Sequence, residues 1–216
     1  MYTYALTLVS AYLLSPLICT LALNVGLVGM PNAGKSSFLS AITNARPKIA
    51  SYAFTTIVPN LGVCHVGGGQ EMGGDAMMIA DIPGLVEGAS NGTGLGRGFL
   101  RHIERCSMIL HIIDGNSQDP VRKFNTINRE LQLFSPLLAS KPQVVIVNKI
   151  DLPHVEKNLD RIRQELLRAM PHSRLLVMST ANRIGVEEVV SRTHKFLLKL
   201  KREEVATRKD NDVSRQ

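Results

Sequence analysis

The largely apolar run from Leu23 to Val28 passes straight into Gly29-Met-Pro-Asn-Ala-Gly34-Lys35-Ser36, and Ser37 to Thr43 behind it has helical character. A strand that hands over to a helix through a glycine loop belongs in an α/β sheet, and no other feature restricts the fold as much. In the pattern G-x-x-x-x-G-K-S the glycines let backbone N–H groups approach phosphate oxygens, at a helix start that already favours an anion. Lys35 is then placed to reach the β and γ phosphates, and the Ser36 hydroxyl to ligate Mg²⁺. Gly29, Pro31, Asn32, Ala33, Gly34, Lys35, Ser36 and Ser37 make up the phosphate side of the candidate site. A glycine turn with an incidental lysine is the plain alternative, and the flanking strand and helix weigh against it.

A magnesium-bound triphosphate also needs a carboxylate near the metal. Asp81-Ile82-Pro83-Gly84 supplies one, after Met77 to Ala80, which reads as a central strand. Gly84 carries an N–H that would touch the γ phosphate. D-x-x-G is a weak signal alone, and its distance downstream of the phosphate loop strengthens it. Between the two lies Arg46 to Pro59, polar at its start and bounded by prolines, with Phe54, Thr55 and Thr56 near its middle. A threonine there would close over the metal when the γ phosphate is present and release when it leaves. The competing reading is threonines in an ordinary edge strand.

Base identity is carried by Asn148-Lys149-Ile150-Asp151-Leu152, which follows the apolar strand Val144 to Val147. The Asp151 carboxylate can accept both the N1–H and the exocyclic amine of guanine, a donor pair that adenine lacks; Asn148 would brace neighbouring loops, and the Lys149 stem would lie along the base plane. A site with a buried acceptor rejects the wrong base strongly, because its polar group would stay unpaired. Ser179, Thr180 and Ala181, after the apolar run Leu175 to Met178, fit a last loop whose backbone N–H meets the guanine carbonyl.

These strings do not stand alone. The filling Pro31-Asn32-Ala33, the stretches Tyr52-Ala53-Phe54-Thr55-Thr56 and Pro59-Asn60-Leu61-Gly62, the run Asp81 to Ala89, and Phe99-Leu100-Arg101-His102-Ile103-Glu104-Arg105 together resemble the Obg group of GTPases, across roughly residues 22 to 200. The resemblance implies a P-loop GTPase fold of the Ras-like kind, hydrolysis of GTP to GDP, a role in ribosome assembly, and a large ribosomal subunit or rRNA as partner. It also implies Mg²⁺ held by Ser36 and Thr56, beside the carboxylate Asp81, and a first switch at Phe54 to Val58. Lys35, Thr56 and Gly84 are the implied catalytic groups. Asp114-Gly115-Asn116-Ser117 and Glu130 to Pro136 look most like plastid members, so an organelle is expected, plastid before mitochondrion, with the cytoplasm as the alternative. The glycine-rich domain that precedes the GTPase domain in that family has no counterpart within these residues.

The motif order also predicts the architecture: strands near 23–28, 60–66, 77–81, 108–114, 143–148 and 174–178, and helices near 36–44, 98–105, 120–135, 155–169 and 185–200. Alternation of this kind gives a six-stranded, mostly parallel sheet with helices on both faces and one antiparallel edge hairpin, turned at Gly67 to Gly74. At 216 residues and 44% hydrophobic content the chain suits one domain with a full core, expected over 22–201 as a monomer. Residues 1–21 are uncharged and long enough to cross a membrane. Without a basic flank, interrupted by Pro16 and leading into a strand, they read as a truncated or altered start rather than an anchor. Residues 202–216 are charged and lack apolar periodicity, which predicts a disordered tail. Three unspaced cysteines and six scattered histidines predict neither a disulfide framework nor a histidine metal site. The net charge of +7, with Arg97, Arg101, Arg105 and the Lys195–Arg202 stretch, suits RNA phosphate as well as it suits a solvated helix face; nothing points to DNA.

Catalysis has two further expectations. Many GTPases carry a glutamine directly after the D-x-x-G glycine to orient water; Leu85 stands there and cannot, which predicts a slow hydrolase working through backbone groups. Asn32 matches the asparagine that ligates a monovalent cation in potassium-activated GTPases, which this loop resembles, so K⁺ is a candidate cofactor; a loop-stabilising side chain is the alternative. A nucleotide-sensing module with little turnover is the rival to an enzyme.

Overall fold

The computed structural model describes residues 24–43, 48–49, 60–66, 76–82 and 104–213. The expectations for residues 1–21, for Phe54, Thr55 and Thr56, for the turn at 67–74, for Gly84 and Leu85, and for most of the helix at 98–105 lie outside those residues.

Seven strands form one sheet in the order β2-β3-β4-β1-β5-β6-β7. β1 is Val25–Val28, β2 Lys48–Ile49, β3 Asn60–His65, β4 Ala76–Asp81, β5 Met108–Asp114, β6 Gln143–Asn148 and β7 Leu175–Val177. The six expected strands are all present, and the two-residue β2 adds one at the edge. β4, β1, β5, β6 and β7 run parallel, while β2 and β3 pair antiparallel. The parallel strands are apolar because both of their faces are covered. Val25, Leu27, Met108, Leu110, Ile112, Val144 and Ile146 point to one face, where Phe38 and Leu39 of helix α1 (Lys35–Ile42) meet Val189 and Leu197 of helix α5 (Val186–Val213). Val28, Ile109, Ile113, Val145 and Val147 point to the other, under helices α2 (Pro120–Phe134), α3 (Pro136–Ala139) and α4 (Pro153–Ala169). β3 alternates instead, with Gly62 and Cys64 buried and Asn60, Val63 and His65 exposed, as suits a strand near an edge.

Helix starts follow the local chemistry. Asp119 caps α2 by accepting the Arg122 N–H at 2.8 Å, and Ser135 caps α3 by accepting the Leu138 N–H at 3.2 Å, each with a proline at the first helical position. Ser135 also ends α2, so the expected helix at 120–135 closes there and a separate turn of helix follows.

The tail departs from its expectation. In place of disorder from residue 202, α5 runs on to Val213. Lys, Arg, Glu and Ala are good helix formers, no glycine or proline interrupts 186–213, and Lys199 faces Glu203 one turn on at 3.7 Å. Lack of apolar periodicity removes a reason to pack against a core; it does not remove the propensity to be helical.

His111 is the unusual member of the interior. It sits on β5 with 1% of its surface exposed and stacks on Phe124 of α2, ring centroids 5.2 Å apart. Burial pushes its pKa down to about 3, so the imidazole is neutral.

Candidate functional site

Every candidate residue within the described residues lies at the carboxyl ends of the parallel strands, in the loops that follow or on the first turn of α1, where α/β sheets bind ligands. The loop after β1 wraps back on itself. Ala33 N–H donates to Met30 O at 3.3 Å, and Gly34 enters α1 in the left-handed region with φ 99°. A side chain at Gly34 would run into the Asn148 amide, so the residue must be glycine for two reasons, conformation and space. Asn32 takes φ 61°, a conformation that asparagine tolerates better than most, and it is exposed with Pro31 beside it. Ser36 and Ser37 are exposed on the first turn of α1, and Ala33 is buried under it.

Lys35 folds over the loop and donates from Nζ to Gly29 O at 2.9 Å and Met30 O at 3.0 Å. Burial lowers its pKa, opposed by the nearby Asp81 carboxylate. Its carbonyl partners are neutral, so an anion offered at the helix start is the stronger partner for the ammonium. Asp81, at the end of β4 and 7% exposed, accepts a hydrogen bond from Ser36 Oγ at 3.0 Å through Oδ2. Its other oxygen, Oδ1, is buried and has no hydrogen-bond partner among the described residues. A hydroxyl and a half-satisfied carboxylate side by side are a hard oxygen set, which fits Mg²⁺: that ion takes only one or two protein ligands and fills its sphere with water and phosphate. No group of three His, Cys, Asp or Glu side chains that would hold a metal by itself occurs among the described residues.

The base side is held more tightly. Asn148 is 2% exposed and ties three loops together. Its Nδ2 donates to Ala33 O at 2.9 Å, and its Oδ1 accepts from both Thr180 N and Thr180 Oγ1 at 3.0 Å. Ser179 is fully buried and its Oγ accepts the Asn182 N–H at 3.1 Å, which with the Ser179–Ile184 bridge fixes the loop that carries Ala181. Lys149 has φ 65° and its Nζ meets Asp114 Oδ2 at 2.6 Å. Leu152 caps α4 and packs partly buried against the cluster of Ile113, Phe124 and Val147. Asp151 Oδ1 is buried and has no partner among the described residues. A buried acceptor costs free energy until a donor arrives, and a guanine edge offers two.

The glycine loop after β1, the Asp81 carboxylate and the Asn148–Asp151 string thus lie at one end of the sheet, and Asn148 ties the glycine loop to the loop after β7. A family model described as "50S ribosome-binding GTPase" matches residues 24–149. The chain belongs to the family of 50S ribosome-binding GTPases.

The resemblance to the Obg group also holds. GTPase Obg of Roseiflexus castenholzii is 52% identical over 174 residues, covering 78% of this chain and 37% of that protein. The chain spans about two fifths of the length of the curated relatives it matches. Among solved structures, an Era variant of Aquifex aeolicus bound to GDP·AlF4⁻ superposes with a TM-score of 0.59 at 27% identity, over 80% of this chain and 56% of that one. Era in complex with MgGDPNP and nucleotides 1506–1542 of 16S ribosomal RNA gives 0.59 at 26% identity, over 80% and 55%.

Two contacts of this GTPase domain were not visible in the motifs. Asp114 is the partner of Lys149, and His154 Nε2 meets Asn116 Oδ1 across the same gap. Asp114 ends an apolar strand in the sequence, which is a signal of placement at the ligand end of the sheet but not of what it touches.

Proposed function

We propose that this domain binds GTP and GDP with Mg²⁺ and hydrolyses GTP, as the switch of an Obg-type protein that acts on a ribosomal particle. The observation that carries the reading is the pair of buried carboxylate oxygens, Asp81 Oδ1 and Asp151 Oδ1, that have no hydrogen-bond partner among the described residues and lie on either side of the glycine loop after β1. Each is a standing cost that a magnesium-nucleotide complex removes.

Asp151 takes the two guanine donors, and the Ala181 N–H faces the carbonyl, since Thr180 N–H is already given to Asn148. Lys35 leaves the carbonyl oxygens of Gly29 and Met30 for the β and γ phosphates. Ser36 and Asp81 hold the metal, with Thr56 as the further ligand the resemblance implies. When bound, Mg²⁺ neutralises charge that builds on the phosphate oxygens. Gly84 N–H meets the γ phosphate, and Leu85 supports slow turnover with the water held by backbone groups. Asn32, exposed at the loop apex, supports a monovalent cation beside the phosphates.

The family description and the RNA-bound Era structure support a ribosomal partner, and the Asp114–Ser117 and Glu130–Pro136 strings support a plastid setting. Single-turnover hydrolysis of GTP by the purified chain, in KCl and in NaCl, with and without ribosomal subunits, tests the proposal. We expect slow turnover that rises with K⁺ and with subunits. Binding of GDP without any hydrolysis under all of these conditions would overturn the enzymatic reading.

A further inference from the structure

The string that reads the base does not hold its own shape. Lys149 sits in the left-handed region, at φ 65°, a conformation unfavourable for a long side chain and sustained only where surroundings fix it. The fixing comes from the loop between β5 and α2. Asp114 Oδ2 lies 2.6 Å from Lys149 Nζ, with the two side chains 21% and 32% exposed. The second oxygen, Oδ1, accepts the Asn116 N–H at 2.9 Å, and Asp114 O accepts the Ser117 N–H at 3.0 Å, so the carboxylate is itself aimed by a turn. Gly115 N–H donates to Asn148 O at 3.0 Å, which joins the two loops by backbone as well, and His154 at the start of α4 meets Asn116.

We propose that Asp114 is a positioning residue for guanine nucleotide, acting through Lys149: it holds the lysine stem where the base plane will lie. The inference rests on the proposed nucleotide site. A charge-assisted pair of this length, partly withdrawn from water, is stronger than an exposed ion pair. Without it the ammonium is free to swing away, and the stem that would line the base must be ordered again at each binding event. The contact serves the face of the base rather than its edge, so losing it weakens binding without changing which base is chosen.

Asp114→Asn is the informative variant, because the amide oxygen still accepts the Asn116 N–H and keeps the turn while the charge facing Lys149 is gone. Dissociation of a fluorescent GDP analogue is measured for the wild-type chain, Asp114→Asn, Lys149→Met and the double variant, together with the melting midpoint of each without nucleotide. The expected result is dissociation about tenfold faster in Asp114→Asn, an unchanged GDP-over-XDP preference, no further acceleration when the change is added to Lys149→Met, and a small drop in the nucleotide-free midpoint that the three variants share. Additive effects in the double variant, wild-type dissociation in Asp114→Asn, or a midpoint drop in Asp114→Asn that Lys149→Met does not share would overturn the proposal. A wild-type chain that takes up no GDP would instead defeat the proposed nucleotide site itself.

Discussion

The two ends of the candidate site are built differently. At the base end, Asn148, Thr180 and Ala33 already hold one another, as do Lys149 and Asp114, and Asp151 Oδ1 waits without a partner among the described residues. At the phosphate end the working groups are engaged with stand-ins: Lys35 with two carbonyl oxygens, Ser36 with the carboxylate that would share its metal. On the proposed reading the base pocket is prebuilt, and the phosphate pocket exchanges partners when it fills. A preformed base site keeps the ordering cost of nucleotide recognition low. A phosphate site that changes partners can report whether the γ phosphate is there, which is what a switch needs.

Substitutions at the two ends sharpen or break that contrast. The largest effect is expected at Asp151: Asp151→Asn offers guanine an amide in place of a carboxylate, so GDP affinity falls by about a thousandfold while preference moves to xanthine nucleotide. Competition between GDP and XDP reads it, and unchanged guanine preference would remove Asp151 from the site. Next, Lys35→Ala lowers GTP affinity by about a hundredfold, ~3 kcal/mol, through loss of charge-assisted phosphate contacts. The nucleotide-free protein should melt no lower than the wild type, because burial disfavours the Lys35 charge while no phosphate is present. A large drop in that midpoint would mean the phosphate end is as settled as the base end.

Asn148→Ala should behave in the opposite way. It strands Ala33 O and two donors of Thr180, so the nucleotide-free protein loses about 2 kcal/mol, seen in denaturant unfolding, alongside weaker GDP binding. Normal stability in this variant would contradict a prebuilt base pocket.

How much of this was legible in the sequence follows the same division. The apolar runs of β1, β5 and β6 predicted their strands within a residue or two, because strands covered on both faces need unbroken hydrophobic stretches. That Lys35, Ser36, Asp81, Asn148 and Asp151 gather at one end of the sheet was legible, because a phosphate, metal and guanine site would require a given group at a given spacing. The Lys149–Asp114 pair was not, since its members are 35 residues apart and only the register of β5 against β6, Asp114 beside Asn148, brings them together. The helical run from Lys201 to Val213 was missed for another reason: local propensity sustains it, and the side chains of residues 201–207 stay exposed.

The smallest effect concerns His111, which belongs to neither end and supports the sheet between them. Its folded pKa of about 3 lies below the ordinary value of 6.5, so the unfolded chain takes up a proton that the folded one refuses. Its contribution is complete above pH ~6.5 and is lost progressively as pH falls toward ~3. His111→Phe, which keeps an aromatic ring against Phe124, should leave the melting midpoint near neutral pH little changed and flatten its decline between pH 7 and 5. An identical decline in both proteins would show that other groups govern acid sensitivity.

Direct titration decides the central claim: purified chain in Mg²⁺ buffer, followed by equilibrium fluorescence with labelled GDP and, as the control, labelled ADP. The arrangement of Asp151, Asn148 and the glycine loop predicts saturable binding of one GDP per chain and no saturable binding of ADP. Failure to bind GDP, or equal uptake of both nucleotides, would contradict it.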